Sequence, residues 1–220
     1  MSLKGAVKGL AAVKAKAEQK QSFQGDGTSV FLTIKDGDSY KIRFLQEFDE
    51  GSKLYDERRG TVTVVEEHVS PKDFRKRAVC TYEEEGRCWA CEQTSLPEIG
   101  KKWKARMRFY ANVIVRGESG DKVKILAQGF GDKNIGTTLV GIAEEYENLG
   151  GQDFKLSRKG AGMNDTSYTL IPLAPKKLSA EDEKLEVVDV GKFINYVSYE
   201  QQANYFAGGD TQEAGGPGSW

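Results

Sequence analysis

Apolar and polar residues alternate through much of the middle of the chain, and a period of two predicts β-strands. Residues 30–34 are β-prone. Residues 40–45 set Tyr40, Ile42 and Phe44 against Lys41 and Arg43, and the Asp36-Gly37-Asp38 turn before them predicts a hairpin. Residues 61–65 are β-branched and lead to His68. The clearest alternation spans 106–115. Met107, Phe109, Ala111, Val113 and Val115 fall on one face, which should be core, and Arg106, Arg108, Tyr110 and Asn112 fall on the other. Residues 122–130 read as the return strand. Strands at 153–157 and 168–171 follow, joined by a Gly-rich loop.

The period changes at 138–149, where Leu139, Ile142, Ala143 and Tyr146 share a helical face and Gly150-Gly151 supplies a stop. After Pro172 and Pro175 two more helices are expected. Residues 179–185 carry a capping serine and an acidic first turn. Residues 189–206 place Val190, Phe193, Ile194 and Val197 at helical spacing. The fold class is therefore mainly β with α additions. Short strands, with one helix before the last pair, fit a small five-stranded barrel of the oligonucleotide-binding (OB) type. A β-sandwich is the alternative. The expected organisation is a basic arm at 1–22, a core at 23–175 with an inserted subdomain at about 66–104, a C-terminal helical segment at 176–206 and a flexible tail at 207–220.

Cysteine and histidine usage adds chemistry to this frame. The chain has 220 residues, three cysteines and one histidine. An odd number of thiols argues against a disulfide scaffold. All four residues lie between positions 68 and 91. Eleven residues separate His68 from Cys80, seven separate Cys80 from Cys88, and two separate Cys88 from Cys91. One nitrogen and three sulfur ligands make a closed tetrahedral set for structural Zn2+, with no open position for hydrolytic chemistry. A redox role for the Cys88/Cys91 pair would call for a thioredoxin-like βαβ context, which the pattern lacks.

Net charge is only −1, so a site for nucleic acid has to come from uneven distribution. Residues 1–22 hold five lysines against Glu18. Lys101, Lys102, Lys104, Arg106 and Arg108 are interleaved with Trp103, Phe109 and Tyr110, and Lys72, Arg75, Lys76 and Arg77 surround Phe74. Cations track phosphates and aromatic faces stack on unpaired bases. This selects Arg75, Lys76, Arg77, Lys101, Lys102, Trp103, Arg106, Arg108 and Tyr110 as candidate contacts. Arg158 and Lys159 precede Gly160 and Gly162, where backbone can approach a phosphate, although no P-loop motif follows. A nuclease would need a carboxylate cluster or a base, and the only histidine is assigned to the metal. A non-catalytic protein is expected. The readings kept beside it are a zinc-stabilised protein–protein adaptor and an RNA binder. No apolar run approaches the roughly 20 residues of a membrane span, and no secretory signal is visible, so a cytoplasmic protein is expected.

The order FLTIKDGDSYKIRFL, His68, Cys80, CWAC, MRFYANVIV, TTLVGIAEEYENLGG and SRKGAGMNDTSYTLIP resembles the zinc-containing single-stranded DNA-binding (helix-destabilising) proteins of tailed bacteriophages, over about 23–175. That resemblance implies an OB core and a structural zinc on His68, Cys80, Cys88 and Cys91. It also implies sequence-independent binding of single-stranded DNA in phage replication, recombination and repair. An arm at 1–22 for self-association, and a tail that recruits replication proteins, would follow. The tail departs from the family in holding only Asp210 and Glu213 as acids, and the arm holds no arginine.

Overall fold

The computed structural model describes residues 29–118, 120–162 and 165–207. The expected arm at 1–22 and the tail from 208 onward lie outside them. The described strands are β1 (Ser39–Phe44), β2 (Thr63–Val69), β3 (Arg77–Val79), β4 (Arg106–Val115), β5 (Lys122–Gly129), β6 (Gln152–Lys159) and β7 (Ser167–Pro175). The helices are α1 (Tyr82–Glu85), α2 (Trp89–Glu92), α3 (Gly136–Tyr146) and α4 (Tyr199–Ala207). All strand pairings are antiparallel, in the order β3-β2-β4-β1-β6-β7, with β5 on the other edge of β4. The expected five strands are seven, and among the described residues the sheet is not closed. No described helix is long and apolar enough to cross a membrane.

β4 organises the sheet. The first half of one edge pairs with β2, from Arg106↔Glu67 to Tyr110↔Thr63, and the second half pairs with β1 at Val113–Val115. The opposite edge pairs with β5 from Arg108 to Val115. Ile42, Phe44, Phe109, Ala111, Val113, Leu126, Leu139, Phe154 and Leu156 form the main core. α3 closes one side of it through Leu139 and Ile142. Gly136 is needed there, because a Cβ would sit 2.6 Å from the Gly129 carbonyl and 2.8 Å from the Phe130 ring.

Several expectations change. Residues 30–34 form no hairpin with β1, whose two edges are taken by β4 and β6. Phe31 instead makes a bridge to Ile125 on β5. β3 was not anticipated. α3 stops in a left-handed Glu147 before reaching Gly150-Gly151, and Tyr146 is exposed. The Gly150 and Leu149 amides donate to the buried Glu47 carboxylate. The helix expected at 179–185 is one 3-10 turn, Asp182–Lys184, with Ser179 Oγ accepting from the Asp182 amide. The long helix expected at 189–206 is a 3-10 turn, Val190–Phe193, then a non-helical stretch, then α4. The non-helical stretch is held by pairing: the Val79 amide donates to Asn195 O, and Asn195 Nδ2 donates to Arg77 O.

The outward face of β4 is also partly covered. Asn112 accepts from the Val188 amide and donates to its carbonyl. Tyr110 packs with Ile125 and Val190 and is buried, so it offers no ring to a base. The same C-terminal segment is tied down by Arg116, which bonds Asp182 at 2.5 Å, Asp121 at 2.5 Å and Asp153 at 3.2 Å. Burial opposes ionisation of Asp182, but the Arg116 guanidinium and the Ser179 amide outweigh it and hold the carboxyl at about 2. A depressed carboxyl stabilises the fold above its unfolded value and loses that contribution as pH falls toward 2. Asp182→Asn should therefore cost about 1–2 kcal/mol at pH 7. Urea midpoints of the variant and the parent protein should converge on acidification from pH 5 to pH 2.

Candidate metal centre and the basic sheet face

The side-chain period of β2 builds the centre. Val65, Glu67 and Val69 point to one face of the sheet, and His68 points to the other. Cys80 follows β3 directly, and the Cys80 amide donates to Glu66 O, which ties it back to β2. Cys88 is the residue before α2, so the single turn of α2 brings Cys91 round beside it. The Cys80 and Cys91 sulfurs lie 3.5 Å apart. His68 Nε2 lies 3.5 Å from the Cys88 sulfur and 3.4 Å from the Cys91 sulfur. All four ligand atoms fall within 4.8 Å of one another. Bonds of about 2.3 Å to sulfur and about 2.0 Å to nitrogen in a tetrahedron separate sulfurs by about 3.8 Å, and sulfur from nitrogen by about 3.5 Å. The expected ligands therefore come together in a cluster that can hold a metal ion, with dimensions compatible with zinc.

Electrostatics favours a cation here. Burial resists ionisation of Cys88, yet hydrogen bonding from His68 and from the Cys91 and Thr81 backbone brings its thiol down to about 6. Burial pushes Cys91 and Cys80 up, with the Cys80 and Cys88 sulfurs adding to this at Cys91 and the Cys88 sulfur at Cys80. Three thiolates in one pocket repel one another unless a metal neutralises them.

Around the ligands lies a set of partners that sequence reasoning missed. The Trp103 carbonyl lies 2.6 Å from His68 Nδ1, which orients the ring with Nε2 toward the sulfurs. Gln202, on α4, is fully buried. Its Oε1 accepts from the Ala90 amide at 3.2 Å and lies 3.3 Å from the Cys88 sulfur. Its Nε2 donates to Thr81 Oγ1 and to the Val197 carbonyl. Trp89, Trp103, Tyr205 and Phe206 pack edge-on and stacked over the same pocket. Nothing local marks Gln202 in the sequence, since it lies 114 positions after Cys88.

The candidate nucleic-acid contacts separate into groups. Arg77 on β3, opposite Val69, and Arg106 and Arg108 on β4, opposite Glu67 and Val65, share one face of the sheet. This face is opposite to the one bearing His68. Arg106 is exposed, and Arg77 and Arg108 are half-buried. Lys101 and Lys102 are exposed on the 3-10 turn Gly100–Trp103. Trp103 itself is buried in the aromatic cluster, so its expected role as a stacking surface is not met. Arg75 is exposed and paired with Asp73, while Lys76 lies 5.0 Å above the Tyr205 ring. Phe74, immediately before Arg75 in sequence, is exposed at 65%. Arg158 is turned inward. It donates to Gly160 O, Ile34 O and Thr166 Oγ1, so it staples the β6–β7 hairpin and is not displayed for a phosphate. Lys159 next to it is exposed. Arg87 is directed to Glu200 and the Tyr199 ring on α4, not toward the sulfurs.

Compared with known proteins, the chain matches no family model, no curated protein and no solved structure. Outer partners of metal ligands typically hold about 10–100-fold in metal affinity. Gln202→Ala should accelerate metal transfer to a colorimetric chelator by that order, with Cys88→Ser losing the metal altogether. Equal release from Gln202→Ala and the parent protein would show that α4 does not brace the centre.

Proposed function

We propose that this protein is a non-catalytic binder of single-stranded nucleic acid, with DNA as the ligand, braced by a structural zinc on His68, Cys80, Cys88 and Cys91. One observation carries the reading. Arg77, Arg106 and Arg108 share one sheet face, while the opposite face of β2 and β3 carries His68 and Ala78 into the metal cluster. A metal clamped on one side of a two-strand ribbon holds the cations on its other side in register. The cations at Lys101 and Lys102 continue from the same subdomain into β4.

The dominant force in this reading is phosphate neutralisation, which is independent of sequence and steeply salt-dependent. With Trp103 and Tyr110 buried, the exposed Phe74 is the ring best placed to stack, on a loop carrying Lys72, Arg75 and Lys76. The shared edge of β4, half with β2 and half with β1, supports an OB-type relation for the open sheet. The resemblance to phage helix-destabilising proteins supports roles in replication, recombination and repair.

Labelled oligo-dT titrated with protein should bind far more tightly than duplex of the same length, and affinity should fall linearly in log-log form as salt rises. Phe74→Ala should weaken oligo-dT binding by about 1–3 kcal/mol. Equal binding to duplex and single strand, or affinity unmoved by salt, would defeat the reading.

A further inference from the structure

On the arginine face, a cavity of about 180 Å³ opens between β3, β4 and the residues that border β5. It is lined by Phe31, Leu32, Arg77, Arg108, Tyr110, Ala127 and Phe193. Two guanidiniums meet in it. Arg108 donates to the Ala127 carbonyl through one terminal nitrogen, while its Nε is buried with no hydrogen-bond partner. Burial of a guanidinium without full pairing is costly, and here a second cation makes it costlier. Burial, then the proximity of Arg77, lowers the Arg108 guanidinium from its ordinary value.

The acid nearby does not balance this charge. Glu67 is buried, its carboxylate accepts from Tyr110 Oη at 2.5 Å, and it lies 3.6 Å from Arg77. It is one anion for two cations, and one of its oxygens is committed to a phenol. The walls around the guanidiniums are apolar: Phe31 and Phe193 meet edge-to-face at 5.5 Å, and Leu32 and Ala127 complete them. In such surroundings a charge-assisted hydrogen bond is stronger than in open water.

We propose that this cavity is an anion subsite that takes a single phosphate group, with Arg108 donating from inside and Arg77 from the rim. The occupant is a phosphodiester of a bound strand, so the proposal rests on the nucleic-acid reading above. It goes further by singling out one phosphate position, where the strand is fixed by donors inside a cavity, from the diffuse contacts made by exposed cations such as Arg106 and Lys101. A free phosphate would be held by the same chemistry.

The test uses the full chain with its metal. Each phosphate contact on a single strand contributes about 0.7 to the slope of log affinity against log salt. Arg108→Gln should shallow the oligo-dT slope by about that amount and weaken binding about ten-fold or more. Arg77→Gln, at the rim and less exposed to folding damage, should do the same to a smaller degree. Arg58→Gln, a cation away from the cavity, should leave the slope unchanged. Inorganic pyrophosphate forms the second arm: it should raise the melting temperature of the parent protein and not that of Arg108→Gln. If oligo-dT does not bind but pyrophosphate does so through Arg108, the anion subsite stands and the nucleic-acid reading falls. If oligo-dT binds with the parental slope in both arginine variants, and pyrophosphate protection survives them, the subsite is overturned.

Discussion

Three thiols and one imidazole converge within 4.8 Å, with His68 and Cys88 buried and Cys80 and Cys91 half-buried, and three thiolates so placed cannot all ionise without a cation among them. Segments from both halves of the chain are arranged around that constraint. β2 delivers His68, the end of β3 delivers Cys80, and α2 presents Cys88 and Cys91. α4 then returns from the far end of the sequence to bury Gln202 against the knuckle. The aromatic cluster of Trp89, Trp103 and Phe206 lies over the same ligands. A helix of one turn such as α2 has little stability of its own, so these contacts, and a metal bound at the cluster, would supply it.

The constraint reaches the opposite face of the sheet through backbone pairing. Asn195 and Tyr205 both donate to the Arg77 carbonyl, at 3.1 Å and 2.9 Å. The segment that closes the metal centre thus also fixes the strand carrying Arg77. Farther along, the Arg116, Asp153 and Asp182 network anchors residues 179–188 to β4 and β6. Fold, metal centre and basic face are consequently coupled, and the C-terminal residues are structural members of all three.

The legible parts of the sequence were those whose determinants are local. β4 follows from its alternation, and α3 follows from Leu139 and Ile142. The ligands were visible because the only histidine and all cysteines crowd into 24 positions. What failed depended on distant chain. Arg108, Tyr110 and Asn112 all fall on the outward face by parity, but residues 188–190 cover Tyr110 and Asn112, so only the arginine end stays open. Interleaved cations and aromatics do not say which ring turns inward, and Trp103 turned into the metal pocket. Residues 190–197 have helical spacing, yet Asn195 pairs with β3 and its neighbours, and pairing overrode the pattern. Gln202 had no local signal at all.

The central claim is that one zinc ion closes this pocket in the folded protein. Native mass spectrometry combined with thiol alkylation tests it most directly. The account predicts a single zinc per folded chain, with Cys80, Cys88 and Cys91 all protected until a chelator removes the ion. A folded protein that carries no metal, and whose three thiols alkylate freely without chelator, would contradict it.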